Sequence, residues 1–184
     1  MNKNVHAVFI DRDGVLNDTP VVDGVPHPPA IPDELKILPG VAEALEILGA
    51  QGLLRIVITN QPDVARGTQS KQMIERIHDR LRRELPIEAI YSCFHDHADN
   101  CACRKPLPGL IFAAQEDHNI DLRGSFMVGD RWSDVAAGEA AGCATFLVSR
   151  PYSQAERCSP RFTVQSLLEA AHMIVKLCRS SQGD

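Results

Sequence analysis

The chain has 184 residues, of which 44% are hydrophobic and 23% charged, so it is long enough for one α/β domain with a buried core. Its net charge of −5 disfavours non-specific binding to nucleic acid, because such binding needs a basic surface. The sequence has neither the pattern of a signal peptide nor an apolar stretch of membrane-spanning length. We therefore expect a single domain over residues 1–184, monomeric and cytoplasmic, with no nucleic-acid or membrane partner.

The predicted elements alternate between strand and helix along the chain. Apolar runs of strand length lie at residues 5–10, 53–59, 87–94, 125–128 and 143–148. Stretches with helical spacing lie at residues 41–51, 69–85, 108–118, 133–141 and 164–178. This alternation predicts an α/β fold, a doubly wound parallel sheet with helices on both faces. The proline-rich stretch 17–38 interrupts the pattern and is predicted to be an ordered loop beside the active site.

Four polar clusters follow predicted strands or the loops after them. They are Asp11-Arg12-Asp13, Thr59-Asn60-Gln61, Arg104-Lys105 and Gly129-Asp130-Arg131. In a parallel sheet, ligands bind at the carboxyl ends of the strands. We therefore expect these clusters to meet in one crevice, although the third follows a loop and is linked to a strand end less directly.

Asp11 and Asp13 flank Arg12 directly after the first apolar run, and Gly14 allows the backbone to turn there. Two carboxylates placed in this way can divide the work of phosphate-ester hydrolysis. One attacks phosphorus, and the other protonates the leaving alkoxide and then deprotonates the water that cleaves the intermediate. For these residues alone, an ordinary polar turn after a strand is the alternative.

Two further clusters offer positive charge and hydrogen-bond donors to a phosphate group. Lys105 can offset the charge of a phosphoryl group in transfer, and Arg104 can bind an anion through two N–H groups. The Thr59 hydroxyl and the N–H groups near Asn60 suit phosphate oxygens. Taken singly, these residues are also explained by a solvated basic pair and a plain strand-to-loop transition.

Asp130 follows the run SFMVG, and with Asp11 it supplies the carboxylate oxygens that Mg²⁺ prefers. The ion would offset the repulsion between these carboxylates and a phosphate dianion. Asp134, four residues later, has two interpretations: it contacts a ligand, or it is a helix N-terminal acid stabilised by the helix dipole.

Four potential zinc ligands, Cys93, His95, Cys101 and Cys103, follow the pattern C-x-H-x5-C-x-C and close a loop over residues 93–103. This spacing suits tetrahedral Zn²⁺, and a site with four protein ligands is structural because it has no open position. Such a site would order the loop that carries Arg104 and Lys105. His97 is a competing ligand, and three unrelated cysteines in a polar loop are the alternative for the whole cluster.

The segments FIDRDGVLN, VITNQ, CRKP and VGDRWSD resemble motifs one to four of the haloacid-dehalogenase (HAD) phosphatase superfamily, over roughly residues 5–150. Within it, the chain is most similar to the histidinol-phosphate and heptose-bisphosphate phosphatase branch. Members of that branch are compact, lack a large cap domain and carry a similar zinc loop. The resemblance therefore implies a Rossmann-like HAD fold and a phosphatase that uses Mg²⁺ together with a structural Zn²⁺.

The resemblance also implies a role for each cluster. Asp11 would be the nucleophile that forms an aspartyl-phosphate, Asp13 the general acid/base, and Thr59 and Lys105 the residues that stabilise the phosphoryl group. Mg²⁺ would be held by Asp11, Asp130 and the backbone carbonyl of Asp13. The expected substrate contacts are Asn60, Gln61, Arg104 and Arg131.

The expected substrate is a small phosphorylated molecule, and a sugar bisphosphate is the leading candidate. Because VARG after TNQP is closer to the heptose type, the leading hypothesis is removal of the 7-phosphate from D-glycero-D-manno-heptose 1,7-bisphosphate. GTQS and the zinc spacing are also similar to histidinol-phosphate phosphatases, which gives the second hypothesis. Two other classes stay open: a phospho-accepting receiver domain that does not hydrolyse its own phosphate, and a zinc-organised binding module without activity.

Overall fold

The computed structural model describes residues 5–180, which form a six-stranded parallel sheet with helices on both faces, as the sequence predicts. The strands in this part of the chain are β1 (Ala7–Ile10), β2 (Val21–Val22), β3 (Val25–Pro26), β4 (Leu54–Asn60), β5 (Ala89–Cys93), β6 (Phe126–Gly129), β7 (Ala144–Val148) and β8 (Phe162–Val164). The α-helices are α1 (Val41–Ala50), α2 (Lys71–Glu84), α3 (Gly109–His118), α4 (Trp132–Ala140) and α5 (Leu167–Ser180).

The strand order β5-β4-β1-β6-β7-β8 determines where a ligand can bind. The chain winds from β1 outward through β4 and β5, then returns to the other side of β1 and continues through β6, β7 and β8. The winding direction reverses beside β1, and a crevice opens at the carboxyl ends of the strands at such a point. Asp11 follows β1 and Asp130 follows β6, so both lie at this crevice.

The sheet is buried on both faces because successive side chains of each strand point to opposite sides. In β1, Val8 and Ile10 pack with the core beneath α1, α2 and α5, whereas Ala7 and Phe9 pack with the core beneath α3 and α4. All four side chains are completely inaccessible to solvent. This double burial explains why the strands form continuous apolar runs in the sequence instead of alternating patterns.

Helix α2 follows the predicted spacing. It begins after Ser70, whose hydroxyl accepts a hydrogen bond from the N–H of Met73 at 3.1 Å, and it ends before Pro86. Its buried residues recur at helical spacing and are Ile74, Ile77, His78 and Leu81. α2 and α5 are 14 residues long, and no helix within residues 5–180 is long and apolar enough to cross a membrane.

Two stretches differ from the prediction. The last helix begins at Leu167 and not at residue 164, because residues 162–164 form the edge strand β8, in which Phe162 stacks on Phe146 with ring centroids 4.8 Å apart. The stretch 17–38 contains a small antiparallel hairpin of β2 and β3. Strands of two or three residues are too short to produce a periodic pattern.

Candidate active site

Asp11 and Lys105 meet at the carboxyl end of β1. Lys105 Nζ lies 2.7 Å from Asp11 Oδ1 and 2.6 Å from Asp134 Oδ1, and it donates to the carbonyl oxygen of Ile58 in β4 at 2.9 Å. Burial lowers the pKa of Lys105, but the two carboxylates raise it by more, so the pKa lies above its ordinary value and the side chain is an ammonium ion. The structure thus brings the lysine of the third cluster to the aspartate of the first.

Three carboxylates, those of Asp11, Asp130 and Asp134, have oxygens within 4.8 Å of one another. Asp130 is completely buried, and among residues 5–180 neither carboxylate oxygen accepts a hydrogen bond of good geometry, although the Tyr152 hydroxyl is near enough to oppose the rise in its pKa. Burial, with Asp11 and Asp134 nearby, raises the pKa of Asp130 well above its ordinary value. Burial also raises the pKa of Asp11 to about 6, although Lys105 opposes the shift. A divalent cation is the partner that would compensate such a cluster.

Gly14 brings the turn after β1 directly against Asp130. Its φ is +83°, a left-handed conformation, and a Cβ at this position would lie 2.0 Å from Asp130 Oδ2. The guanidinium of Arg150, in the loop after β7, donates two hydrogen bonds to the carbonyl oxygen of Gly14, at 3.1 and 2.9 Å. Only glycine fits here, so this turn is shaped to close over the carboxylate cluster.

Asp13 lies at the edge of the crevice and accepts four hydrogen bonds. Arg12 donates to its two oxygens at 3.0 and 2.7 Å, Asn17 donates to Oδ1 at 3.0 Å, and Gln61 donates to Oδ2 at 2.8 Å. Burial raises the pKa of Asp13, but the charge of Arg12 and these donors lower it by more, so its pKa lies below the ordinary value. The side chain is therefore an ionised carboxylate in the free protein.

The cluster that follows β4 divides into two pairs of contacts. Gln61 Nε2 donates to Thr59 Oγ1 at 3.0 Å as well as to Asp13, so Thr59 and Gln61 face the same crevice. Asn60 turns to the neighbouring loop, where its side chain donates to the carbonyl oxygen of Lys105 at 3.0 Å and accepts from the N–H of Lys105 at 3.1 Å. Asn60 therefore fixes the backbone that carries Lys105.

Two arginines proposed as substrate contacts lie near the rim of the crevice. Arg104 donates to the backbone carbonyl oxygen of His95 at 3.2 Å, and the guanidinium of Arg131 lies 5.3 Å from the centre of the Tyr152 ring. Within residues 5–180, neither arginine forms an ion pair with a carboxylate. Their positive charges are thus available to an anionic ligand.

Asp134 has features of both roles that the sequence left open, a helix N-terminal acid and a member of the polar cluster that could contact a ligand. It is the third residue of α4, and its Oδ2 accepts a hydrogen bond from the backbone N–H of Arg131 at 2.9 Å, as a helix N-terminal acid does. Its Oδ1 contacts Lys105 Nζ, and only 1% of the residue is exposed. Asp134 therefore belongs to the polar cluster and caps the helix as well.

The four predicted zinc ligands form a second cluster. The sulfur atoms of Cys93, Cys101 and Cys103 are 3.2 to 3.7 Å apart, and His95 Nδ1 lies 3.3 and 3.6 Å from two of them. In a tetrahedral site with Zn–S bonds of about 2.3 Å, neighbouring sulfurs are about 3.8 Å apart. His97 is not part of the cluster. The arrangement fits a structural zinc ion with the ligand set that the sequence predicts.

Sequence reasoning missed three side chains at or behind this crevice: His78, Arg150 and Tyr152. His78 Nε2 lies 3.2 Å from Arg12 Nη1, and the Tyr152 hydroxyl lies 2.9 Å from Thr19 Oγ1. None of the three lies in a recognisable motif. His78 occupies a core position of α2. Arg150 and Tyr152 lie in the loop after β7, and the pairing of β7 beside β6 is what brings this loop near the end of β1.

The fold and the crevice together define a class of enzyme, the HAD-like hydrolases. The sequence model of the family described as HAD-hydrolase-like matches residues 102–170, which span Lys105, Asp130 and Asp134. Asp11 follows β1, Thr59 lies in β4 and Asp130 follows β6, so these residues lie at the carboxyl ends of neighbouring strands.

Comparison with similar proteins identifies the family within this class of hydrolases. D-glycero-β-D-manno-heptose-1,7-bisphosphate 7-phosphatase of Bordetella bronchiseptica is 37% identical over 77% of this chain and 79% of its own length. The enzyme of the same name from Escherichia coli is 30% identical over 99% of this chain and all of its own length. The crystal structure of D,D-heptose 1,7-bisphosphate phosphatase from B. bronchiseptica, complexed with magnesium and phosphate, superposes with a TM-score of 0.82 at 31% identity and covers 94% of this chain and 99% of that one. The chain therefore belongs to this family of HAD phosphatases.

Proposed function

We propose that the protein removes the 7-phosphate of D-glycero-D-manno-heptose 1,7-bisphosphate through an aspartyl-phosphate on Asp11. The observation that carries this proposal is the meeting of Asp11, Lys105 and the buried Asp130 carboxylate at one sheet crevice, with Asp13 at its edge. The relatives support this choice of substrate, because they match most of the chain and are all named as 7-phosphatases of this heptose bisphosphate.

The first step is attack by a carboxylate oxygen of Asp11 on phosphorus. The bond from phosphorus to the sugar oxygen breaks, and protonated Asp13 gives its proton to that leaving oxygen. Lys105, held 2.7 Å from Asp11, offsets negative charge on the transferring group. In the free protein the donors around Asp13 favour its ionised form, but the charge of a bound phosphate dianion raises its pKa and favours the protonated form.

The second step frees the Asp11 carboxylate and restores the proton that Asp13 gave up in the first step. Water loses a proton to Asp13 while its oxygen attacks the phosphorus of the aspartyl-phosphate, and the Asp11–phosphate bond breaks to release inorganic phosphate. Asp13 ends the cycle protonated. Gln61 contacts both Asp13 and Thr59, so these side chains would line the space in which the phosphoryl group is handled.

The carboxylate cluster fits Mg²⁺. Asp130 offers two buried oxygens that, among residues 5–180, accept no hydrogen bond of good geometry, and a hard cation that prefers oxygen ligands would satisfy them. We assign the ion to Asp11, Asp130 and the backbone carbonyl of Asp13. Asp134 lies within the same cluster but is already hydrogen-bonded through both oxygens, so we do not assign it a direct bond to the ion. When bound, Mg²⁺ supplies charge neutralisation of the phosphate.

The second metal is proposed to be a structural zinc ion held by Cys93, His95, Cys101 and Cys103. Arg104 and Lys105 follow Cys103 directly, so a metal that orders the loop also positions these two cations. Among the expected substrate contacts, Arg104 and Arg131 have free charge for the second phosphate of a bisphosphate, whereas the contacts of Asn60 with Lys105 favour a positioning role for its side chain.

The decisive experiment follows phosphate release from the heptose bisphosphate by ³¹P NMR with Mg²⁺ present. Wild-type protein is expected to release the 7-phosphate over many turnovers, and Asp11→Asn, which keeps the side-chain shape, is expected to release none detectably. Transfer of a single equivalent of the 7-phosphate to the protein, without release of inorganic phosphate, would instead identify a phospho-accepting domain. Higher kcat/KM for histidinol phosphate than for the heptose bisphosphate would overturn the substrate assignment and leave the reaction intact.

A further inference from the structure

One buried ionisable side chain, His78, takes no part in the proposed reaction. It lies on the inner face of α2, is completely inaccessible to solvent, and places Nε2 3.2 Å from Nη1 of Arg12. A guanidinium can only donate hydrogen bonds, so Nε2 of His78 must be the acceptor and carry no proton. The remaining ring proton is then on Nδ1, which faces Glu75 Oε1 at 3.7 Å.

Arg12 links this histidine to the active site. Its guanidinium is completely buried, and it grips Asp13 with two hydrogen bonds, from Nε at 3.0 Å and from Nη2 at 2.7 Å. These two bonds fix the plane of the Asp13 carboxylate relative to the guanidinium. The third nitrogen, Nη1, points to the opposite side and meets His78. A continuous chain of hydrogen bonds thus runs from α2 through Arg12 to Asp13.

We propose that His78 is a positioning residue of the active site, which holds Arg12 so that Arg12 in turn holds the Asp13 carboxylate in place to exchange protons. The proposal rests on the role assigned to Asp13 above. Without an acceptor at Nη1, a buried N–H group would be unsatisfied, and the guanidinium would turn to find a partner. Because proton transfer depends on placement within about an ångström, that turn would reduce catalysis by Asp13 without touching the substrate.

The surroundings of His78 favour the neutral ring that this role needs. Burial, together with the positive charges of Arg12 and Arg82, lowers the pKa of His78 to about 3, although Asp13 opposes the shift. A protonated ring would present an N–H group to the guanidinium and repel it. The same neighbours that exclude a charged histidine therefore preserve the acceptor that Arg12 uses.

Two polar substitutions test the proposal. In His78→Gln the amide oxygen reaches the position of Nε2, whereas in His78→Asn it stops short of Arg12. The substrates are the heptose bisphosphate, whose alkoxide leaving group needs a proton, and p-nitrophenyl phosphate, whose leaving group does not. We expect His78→Asn to lower kcat/KM for the bisphosphate about tenfold, leave kcat/KM for p-nitrophenyl phosphate nearly unchanged, and leave KM for the bisphosphate within about twofold. His78→Gln is expected to retain wild-type values for both.

The controls separate this proposal from the proposed function. Asp13→Asn should lower kcat/KM for the bisphosphate by about 100-fold or more, and an unchanged value would remove Asp13 from the mechanism. If Asp13→Asn has its effect but His78→Asn and His78→Gln match each other for both substrates, the positioning role is overturned. His78→Leu replaces His78→Asn if the latter does not fold. Should only His78→Gln fold, His78 serves stability alone and the proposal is also overturned.

Discussion

At the scale of single residues, the crevice concentrates charges that a protein interior ordinarily excludes. Asp130 is buried, and within the described part of the chain no donor reaches its carboxylate at good hydrogen-bond geometry, while Asp11 and Asp134 lie close to it. Such an arrangement costs stability unless a cation or a proton compensates it. Lys105 compensates Asp11 and Asp134, but within residues 5–180 it forms no ion pair with Asp130. The Asp130 carboxylate thus suits the proposed binding of a cation, but it lowers the stability of the protein when no metal is bound.

Replacing Asp130 should show directly that this carboxylate lowers stability when no metal is bound. In the absence of divalent cations, we expect the free energy of unfolding of Asp130→Asn to be about 1–3 kcal/mol higher than that of wild type, because the variant no longer buries an uncompensated charge. Mg²⁺ should then raise the melting temperature of wild type but not of the variant, and the variant should have no phosphatase activity. Urea unfolding in chelator, repeated with Mg²⁺, measures both effects, and a less stable metal-free variant would contradict the prediction.

Arg104 provides a second test at this scale, because within the described residues its charge forms no ion pair with a carboxylate and its guanidinium donates to the backbone carbonyl of His95. Arg104→Ala should raise KM about tenfold for the heptose bisphosphate, since a charge-assisted hydrogen bond to phosphate contributes about 1.5–3 kcal/mol. KM for p-nitrophenyl phosphate, which lacks a second phosphate, should change little. Arg83→Ala, in the last turn of α2, is the matched control. Equal effects on both substrates would remove Arg104 from substrate recognition.

At the scale of elements, the loop after β5 connects the two proposed metal sites. Cys93 ends β5, the remaining zinc ligands follow within ten residues, and Arg104 and Lys105 come directly after Cys103. Arg66, in the loop after β4, donates two hydrogen bonds to Asp96 at 2.8 and 2.9 Å and so braces the same loop. A loop between two elements needs such ties if it is to hold Lys105, the lysine proposed to stabilise the phosphoryl group, in place.

Removing one zinc ligand should therefore affect catalysis at a distance. We expect Cys101→Ser to reduce bound zinc from one equivalent to a small fraction and to lower kcat/KM at least tenfold, because the Lys105 backbone loses its support. Cys158→Ser, which changes a cysteine outside the cluster, should retain zinc and activity. Elemental analysis of purified protein and steady-state kinetics provide the measurements. Full activity of zinc-free Cys101→Ser would refute the link between the two sites.

At the scale of the whole molecule, the sheet has a protected centre and one thin edge. β1 pairs with β4 on one side and β6 on the other and is buried on both faces, whereas β8 has three residues and pairs only with β7. The active site is attached to the central strands, where the structure is held from every side. This placement keeps the carboxylates, the lysine and the turn at Gly14 in register with one another.

Hydrogen exchange should report this gradient. Amides of β1 are expected to exchange only through global unfolding, and those of β8 to exchange at least about tenfold faster through local opening of the edge. Mass spectrometry of peptides that cover residues 7–10 and 162–164 makes the comparison in one experiment. Equal exchange rates in the two peptides would show that the edge strand unfolds only together with the core.

The sequence alone predicted the order of the main strands and helices and the polar clusters at the strand ends, because both leave a pattern within short segments of the chain. Apolar runs mark strands that are buried on both faces, and polar clusters at their ends mark the edge where ligands bind. The Cys/His cluster proposed to bind zinc was predicted from its spacing and from the family resemblance, since its four residues lie within eleven residues of one another. The small elements β2, β3 and β8 were missed because they have too few residues to form a pattern.

Contacts between distant parts of the chain could be assigned only from the tertiary structure. Nothing in the sequence relates His78 to Arg12, 66 residues away, or Arg150 to Gly14, 136 residues away. The direct contact of Asp134 with Lys105 likewise depends on how α4 and the zinc loop approach β1. The secondary structure of a segment follows mainly from its own side chains. The partners of a buried charge are decided only by tertiary packing, which excludes water and leaves the charge with the few polar groups around it.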